Sequence, residues 1–239
     1  MKLREQVLSA TLWGTLYLLV PTAGATVTPD RTRVIFDAGQ ASLGLTVIND
    51  DPINPVLAQA WLENEQGSRI GLPLTVVPPV QRLEAGARSL VTITTLSAAS
   101  KLPHDRESLF YFNLRGIPPR ANKPNVLQLA VQTRVKLFYR PVSLTVRSGS
   151  PWMTKLVLIR TEDGYRLDNP TPYYVTLVDL KAKRGRSADV EPRTLAPKSS
   201  TQILSPPMQV PVLTYIDDYG ARPELTFSCN RSVCHVSQP

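Results

Sequence analysis

Hydrophobic and polar positions alternate with a period of two through much of this chain. The longest such run is NVLQLAVQTRVKLFYRP, residues 125–141. It sets Leu127, Leu129, Val131, Val135 and Leu137 on one face and Gln128, Ala130, Gln132, Arg134 and Lys136 on the other. That alternation predicts a strand of about a dozen residues, where ordinary strands run about 5–6. Pro141 ends the run, because proline cannot donate to a sheet ladder. Ahead of it, Thr32 to Phe36, Ser42 to Ile48, Val56 to Leu62, Leu72 to Val77, Ser89 to Leu96 and Ser108 to Leu114 read as shorter strands. After it, Lys155 to Ile159, Tyr173 to Leu180, Val190 to Leu195, Thr201 to Leu204, Val212 to Ile216 and Glu224 to Ser228 form a second set. Turn residues such as Asn49-Asp50-Asp51-Pro52, Glu84-Ala85-Gly86, Gly164 and Pro170 punctuate both sets. Without helical periodicity, this is the pattern of an all-β protein built as two immunoglobulin-like sandwiches. The boundary falls just after Pro141, giving domains at residues 26–142 and 143–239.

The first residues stand outside this pattern. Lys2 and Arg4 precede an apolar stretch, Val7 to Val20, and Ala23-Gly24-Ala25 fits a small-residue cleavage site. Residues 1–25 read as a secretory signal peptide. Their apolar core is short and broken, against about 20 apolar residues for a spanning helix. The expectation is an exported protein with no integral membrane segment. Twenty-two prolines among 239 residues argue further against long helices.

Charge and candidate chemistry narrow the functional classes. A formal net charge of +8 suits acidic partners or membrane surfaces better than nucleic acid. The cationic run Lys181 to Arg186, KAKRGR, has no interleaved aromatics and reads as a solvated hairpin loop. Cys229 and Cys234 read as one local disulfide in an oxidising compartment, although His235 beside Cys234 leaves a metal site open as the other reading. The inventory for enzymatic work is thin: no G-x-S-x-G, Walker loop, H-E-x-x-H or C-x-x-C is present. His104 lies between turn-forming residues and reads as an exposed loop imidazole. Glu107, Asp217 and Asp218 have arginines to pair with and read as structural ion pairs. The expectation is no enzyme, no cofactor and no metal.

LPHDRESLFYFNLRGIP, Leu102 to Pro118, changes the picture. Asp105-Arg106-Glu107-Ser108, followed by Phe110, Phe112, Asn113, Leu114, Ile117 and Pro118, resembles the signature of the PapD-like periplasmic pilus-assembly chaperones of the chaperone–usher pathway. DRTRVIFD, LAQAWLENE, PPVQRLEAGA, KLFYRP, NPTPYYVT and YIDDYGARP extend the resemblance across essentially the whole chain after residue 25. It implies a boomerang of two sandwich domains with a cleft between them. Such chaperones bind pilin subunits that lack the last strand of their own sandwich, lend them a strand, and pass them to an outer-membrane usher without ATP. The resemblance puts the lent side chains at Leu127, Leu129 and Val131. It puts the cations that hold the subunit's C-terminal carboxylate at Arg33 and Lys136, with Arg134 a secondary basic residue nearby. It also implies an interdomain ion-pair network of Glu107, Arg140 and Asp218, and a disulfide between Cys229 and Cys234.

Periodicity alone would make Leu127, Leu129 and Val131 ordinary core residues, and Arg33 and Lys136 solvated cations. The physics of a lent strand is nonetheless coherent. A long apolar edge is an aggregation hazard that proteins normally blunt, and a one-residue slip in pairing would turn every anchor to the wrong face. A carboxylate clamp would set that register. Self-association of the free protein stays open, as do two other readings: a structural pilus subunit or adhesin, and a secreted immunoglobulin-like binding module.

Overall fold

Alternating side chains need two facing sheets to cover them, and the chain supplies these twice. The computed structural model describes residues 27–120, 125, 127–144 and 151–237. The expected signal peptide, residues 1–25, lies outside them. The first ten strands are β1 (Val27–Pro29), β2 (Arg33–Asp37), β3 (Ser42–Asn49), β4 (Val56–Asn64), β5 (Arg69–Ile70), β6 (Leu74–Val77), β7 (Val80–Leu83), β8 (Arg88–Thr95), β9 (Ser108–Ile117) and β10 (Val131–Arg140). One sheet runs β1-β3-β8-β6; the other runs β2-β10-β9-β4-β5, with β7 also pairing to β4. Their inward positions include Phe36, Leu45, Leu62, Ile93, Phe112 and Leu137, none more than 1% exposed, in one continuous core.

The remaining strands are β11 (Val157–Thr161), β12 (Gly164–Asn169), β13 (Val175–Ala182), β14 (Arg193–Leu195), β15 (Ser199–Leu204), β16 (Pro211–Ile216), β17 (Glu224–Asn230) and β18 (Val233–Val236). They follow one hydrogen-bonded path, β14-β13-β16-β17-β18-β11-β12-β15. Strand β17 pairs with β16 through residues 224–226 and with β18 through residues 227–230. It therefore changes layer partway, and the path closes over a second core containing Leu158, Tyr165, Leu167, Leu177, Leu213 and Phe227. Both units are β-sandwiches, as the alternation predicts. Among the described residues the helical segments are short 3₁₀ turns, at Ser97–Lys101, Val142–Leu144 and Trp152–Lys155.

The long ribbon needs a correction. Strand β10 starts at Val131, and residues 127–130 are not in a strand. The register explains the early stop. Val131 pairs with Gly116 at the far end of the β9–β10 ladder, and β9 ends at Ile117. Pro118 and Pro119 come next, and neither has an N–H to continue the ladder. On its other side β10 pairs with β2 only through Lys136–Arg140. Among the described residues, 131–135 are thus bonded on one side only, and their second edge is open. The strand expected from Lys155 likewise begins later, at Val157, because the 3₁₀ turn occupies Trp152–Lys155.

Candidate functional site

The open edge of β10 leads towards the contact between the domains, where Arg33, paired with Lys136, donates to the carbonyls of Ile216 and Asp217. Inward residues Val135, Leu137 and Tyr139 are sealed in the first core, whereas Leu127 is 83% exposed and Leu129 60%. Val131, at the junction, is partly exposed. The three side chains expected to be lent are therefore those the fold leaves uncovered or half covered. The outward face of the same strand carries Arg134, Lys136, Phe138 and Arg140.

Parallel pairing sets Lys136 directly against Arg33 on β2, so the two expected cations are neighbours on one face. Arg33 is 8% exposed. Its Nη1 donates to the carbonyls of Ile216 (2.9 Å) and Asp217 (2.8 Å), and its Nη2 to Thr176 Oγ1 (3.1 Å). Its guanidinium lies 5.4 Å from the Phe138 ring centroid. Burial pushes Arg33 below its ordinary value, against the opposing pull of Asp218, Asp217 and Glu107. Lys136 is half-buried, and its ammonium has no hydrogen-bond or ion-pair partner among the described residues. Burial first, then the charge of Arg33, pushes Lys136 below the usual lysine range. A half-buried ammonium without a partner among the described residues, set beside a guanidinium, is a site that favours an anion.

Behind this pair, Arg140 ties the domains together. Its Nε donates to Glu107 Oε1 (2.8 Å) and its Nη1 to Asp218 Oδ2 (2.8 Å). Glu107 Oε2 accepts from the Tyr174 N–H, and the Glu107 N–H donates to the Pro172 carbonyl. The Arg140 and Glu107 side chains are 5% and 2% exposed, that of Asp218 28%. Burial pulls Arg140 down, but Asp218 and Glu107 outweigh it and hold the guanidinium above its ordinary value. Burial also pushes the Glu107 carboxyl up, more than Arg140 and the Tyr174 amide draw it down. The loop carrying Asp218 packs closely on the first domain. Gly220 has φ +87°, and a Cβ there would lie 2.7 Å from Thr32 Oγ1, so only glycine fits.

Other expected residues fall as follows. Arg134 is bound on the outward face, with its Nε 3.1 Å from Glu63 Oε2 and its guanidinium 3.6 Å from the Tyr111 ring centroid. Cys229 and Cys234 form a disulfide across the β17–β18 hairpin. That bond takes both thiols, so the metal reading at His235 loses its ligands. His104 sits on an exposed loop. Sequence reasoning did not reach Thr176, Tyr174, or the surface pair of Lys198 and Asp105 that also joins the domains. Nothing in the linear sequence marks Thr176, which meets Arg33 across 143 positions.

Comparison with known proteins follows the same residues. Residues 26–145 match the family described as pili and flagellar-assembly chaperone, PapD N-terminal domain. Residues 151–227 match pili assembly chaperone PapD, C-terminal domain. The chain is 46% identical over 239 residues to the chaperone protein PapD of Escherichia coli, covering 99% of each. It is 31% identical to the periplasmic chaperone SfaE in its crystal structure, with TM-score 0.69, over 84% of this chain and 98% of that one. It also matches a chain in the structure of the Salmonella enterica SafA pilin in complex with the SafB chaperone: 26% identity, TM-score 0.74, 87% of this chain and 98% of that one. No helix among the described residues is long and apolar enough to cross a membrane.

Proposed function

This chain belongs to the PapD family of pilus-assembly chaperones, and we propose that it captures pilin subunits in the periplasm by lending them the open edge of β10 and delivers them to an outer-membrane usher. The family is a chaperone family and not an enzyme class; the reading here is likewise non-catalytic and needs no cofactor. One observation carries it: among the described residues, a strand edge bonded on one side and extended by exposed Leu127 and Leu129 leads to Lys136, which has no partner beside Arg33.

A subunit segment laid along residues 127–135 would complete the missing side of the ladder. Leu127, Leu129 and Val131 would then enter the subunit's open core, each burial contributing about 1.5–3 kcal/mol. A C-terminal carboxylate received by Lys136 and Arg33 fixes where that segment stops, and so its register. With its terminus at Lys136 and its body towards Leu127, the segment must run parallel to β10. Glu107, Arg140 and Asp218 hold the two domains at a set angle, and we place the domain boundary at residues 142 and 143. A structural pilus subunit or a secreted binding module is not favoured, because family membership extends over both domains.

Co-expression with a cognate pilin subunit tests this reading. Lys136→Ala removes the unpartnered cation, and loss of one member of a buried charged contact costs about 2–5 kcal/mol. Recovery of chaperone–subunit complex should fall at least tenfold; wild-type recovery would remove Lys136 from the site.

A further inference from the structure

The outward face of β4, β9 and β10 carries a second feature. Register places three rows across these strands: Gln59, Arg115 and Gln132; Trp61, Asn113 and Arg134; Glu63, Tyr111 and Lys136. Arg69 on β5 flanks the rows at one end, Arg33 on β2 at the other. Five cations thus share one face of the sheet, Arg33 buried at its interdomain end, and Glu63 is the one carboxylate within the rows. Glu63 is already engaged, accepting from Trp61 Nε1 (2.8 Å) and pairing with Arg134.

Arg69, Arg115 and Arg134 are each held against an aromatic ring. Trp61, itself 8% exposed, has the Arg69 guanidinium 4.3 Å and the Arg115 guanidinium 5.1 Å from its ring centroid. Arg134 stacks on Tyr111. Arg115 Nη2 donates to Gln132 Oε1 (3.0 Å), and Gln132 Nε2 donates to Asn113 Oδ1 (2.9 Å). An arginine can only donate, so this chain has one direction. It leaves Asn113 Nδ2, fully buried beneath the cations, as a donor without an acceptor. A guanidinium stacked flat keeps its N–H groups in plane and its charge outward. With one carboxylate in its rows, already engaged, this face favours negative charge or acceptor oxygens.

We propose that this shelf of Arg69, Arg115 and Arg134 steers the incoming subunit by attracting an acidic patch that flanks the subunit's terminal strand. The inference rests on the reading of β10 as the lent strand. The shelf is continuous with the lent edge, because Gln132 and Arg134 alternate along β10 with Val131, Thr133 and Val135. A subunit strand pairing there brings its own outward side chains beside Arg134. Charges at the rim of an interface act mainly on the association rate and its salt dependence, whereas buried anchors act on dissociation.

The test uses the subunit that co-purifies with the wild-type chaperone, unfolded in urea and diluted into the chaperone in a stopped-flow instrument. At about 20 mM salt, R69Q/R115Q/R134Q should capture it about tenfold more slowly than wild type, and the two rates should converge near 0.5 M salt. Dissociation should change by less than about twofold. R69K/R115K/R134K keeps the charge, loses the flat stacks, and should retain the wild-type association rate. A glutamine triple variant with the wild-type rate and salt slope overturns the proposal. So does an equal slowing of the lysine and glutamine variants, which would make the stacks a cover for Trp61. Failure of any subunit to co-purify would instead overturn the lent-strand reading, and this inference with it.

Discussion

Arg140 is 4% exposed, and Glu107 and Asp218, sharing its guanidinium, offset the cost of burying that charge. Substituting Arg140→Met leaves Glu107 buried with a backbone amide as its chief partner. Loss of one member of a buried pair costs about 3–5 kcal/mol, and urea denaturation should show a loss of that order. The surface pair behaves differently. Asp105 is drawn down to about 2 from an ordinary 3.8, first by Lys198 and then by Arg106. A carboxylate with a lowered folded value stabilises the fold above its unfolded value and loses that contribution as pH falls through the folded one. The stability difference between wild type and Asp105→Asn should therefore be complete at about pH 5, be mostly lost at about pH 2 and vanish near pH 1. A constant difference across that range would mean the Lys198 contact is not formed in solution. None of these pairs shows in periodicity. Glu107, Arg140 and Asp218 lie 33 and 78 positions apart, and only their place in recognisable motifs linked them.

Strand β10 shows what alternation can and cannot specify. It assigned Val135 and Leu137 to the buried face and Lys136 to the other, because side-chain direction depends only on parity. It did not locate the strand's start, which depends on whether a neighbour can bond. That information sat in Pro118-Pro119, thirteen and twelve positions before Val131. A similar lapse hid β12, where Gly164 and Pro170 read as punctuation although Tyr165 and Leu167 alternate between them into the second core. The ladder's early end makes a prediction. Backbone amides of residues 127–130 should exchange with solvent rapidly in the free chaperone and become protected in the subunit complex. Leu129→Glu should leave thermal stability within about 0.5 kcal/mol of wild type, because the side chain is already exposed. The same variant should fail to hold a subunit. Slow exchange at these amides in the free protein would mean the edge is already closed.

At the scale of the molecule, the free chaperone carries an apolar edge beside a cationic face. These two features pull self-association in opposite directions. An open edge with exposed leucines invites pairing with a second copy, while Arg134, Lys136 and the net charge of +8 set like charges against each other when two such edges meet. Added salt screens the repulsion and slightly strengthens apolar burial, so any dimer of the free chaperone should tighten as salt rises. Subunit capture, under the proposed steering by an acidic patch, should slow over the same range. Sedimentation of the free protein at about 20 mM and about 300 mM salt separates these responses, since the Debye length falls from above 20 Å to below 8 Å. A dimer that weakens with salt, or that persists unchanged in Leu129→Glu, would place self-association on a surface other than the β10 edge. A salt-strengthened dimer lost in Leu129→Glu would mean that the chaperone guards its open strand by charge until a subunit of opposite sign arrives.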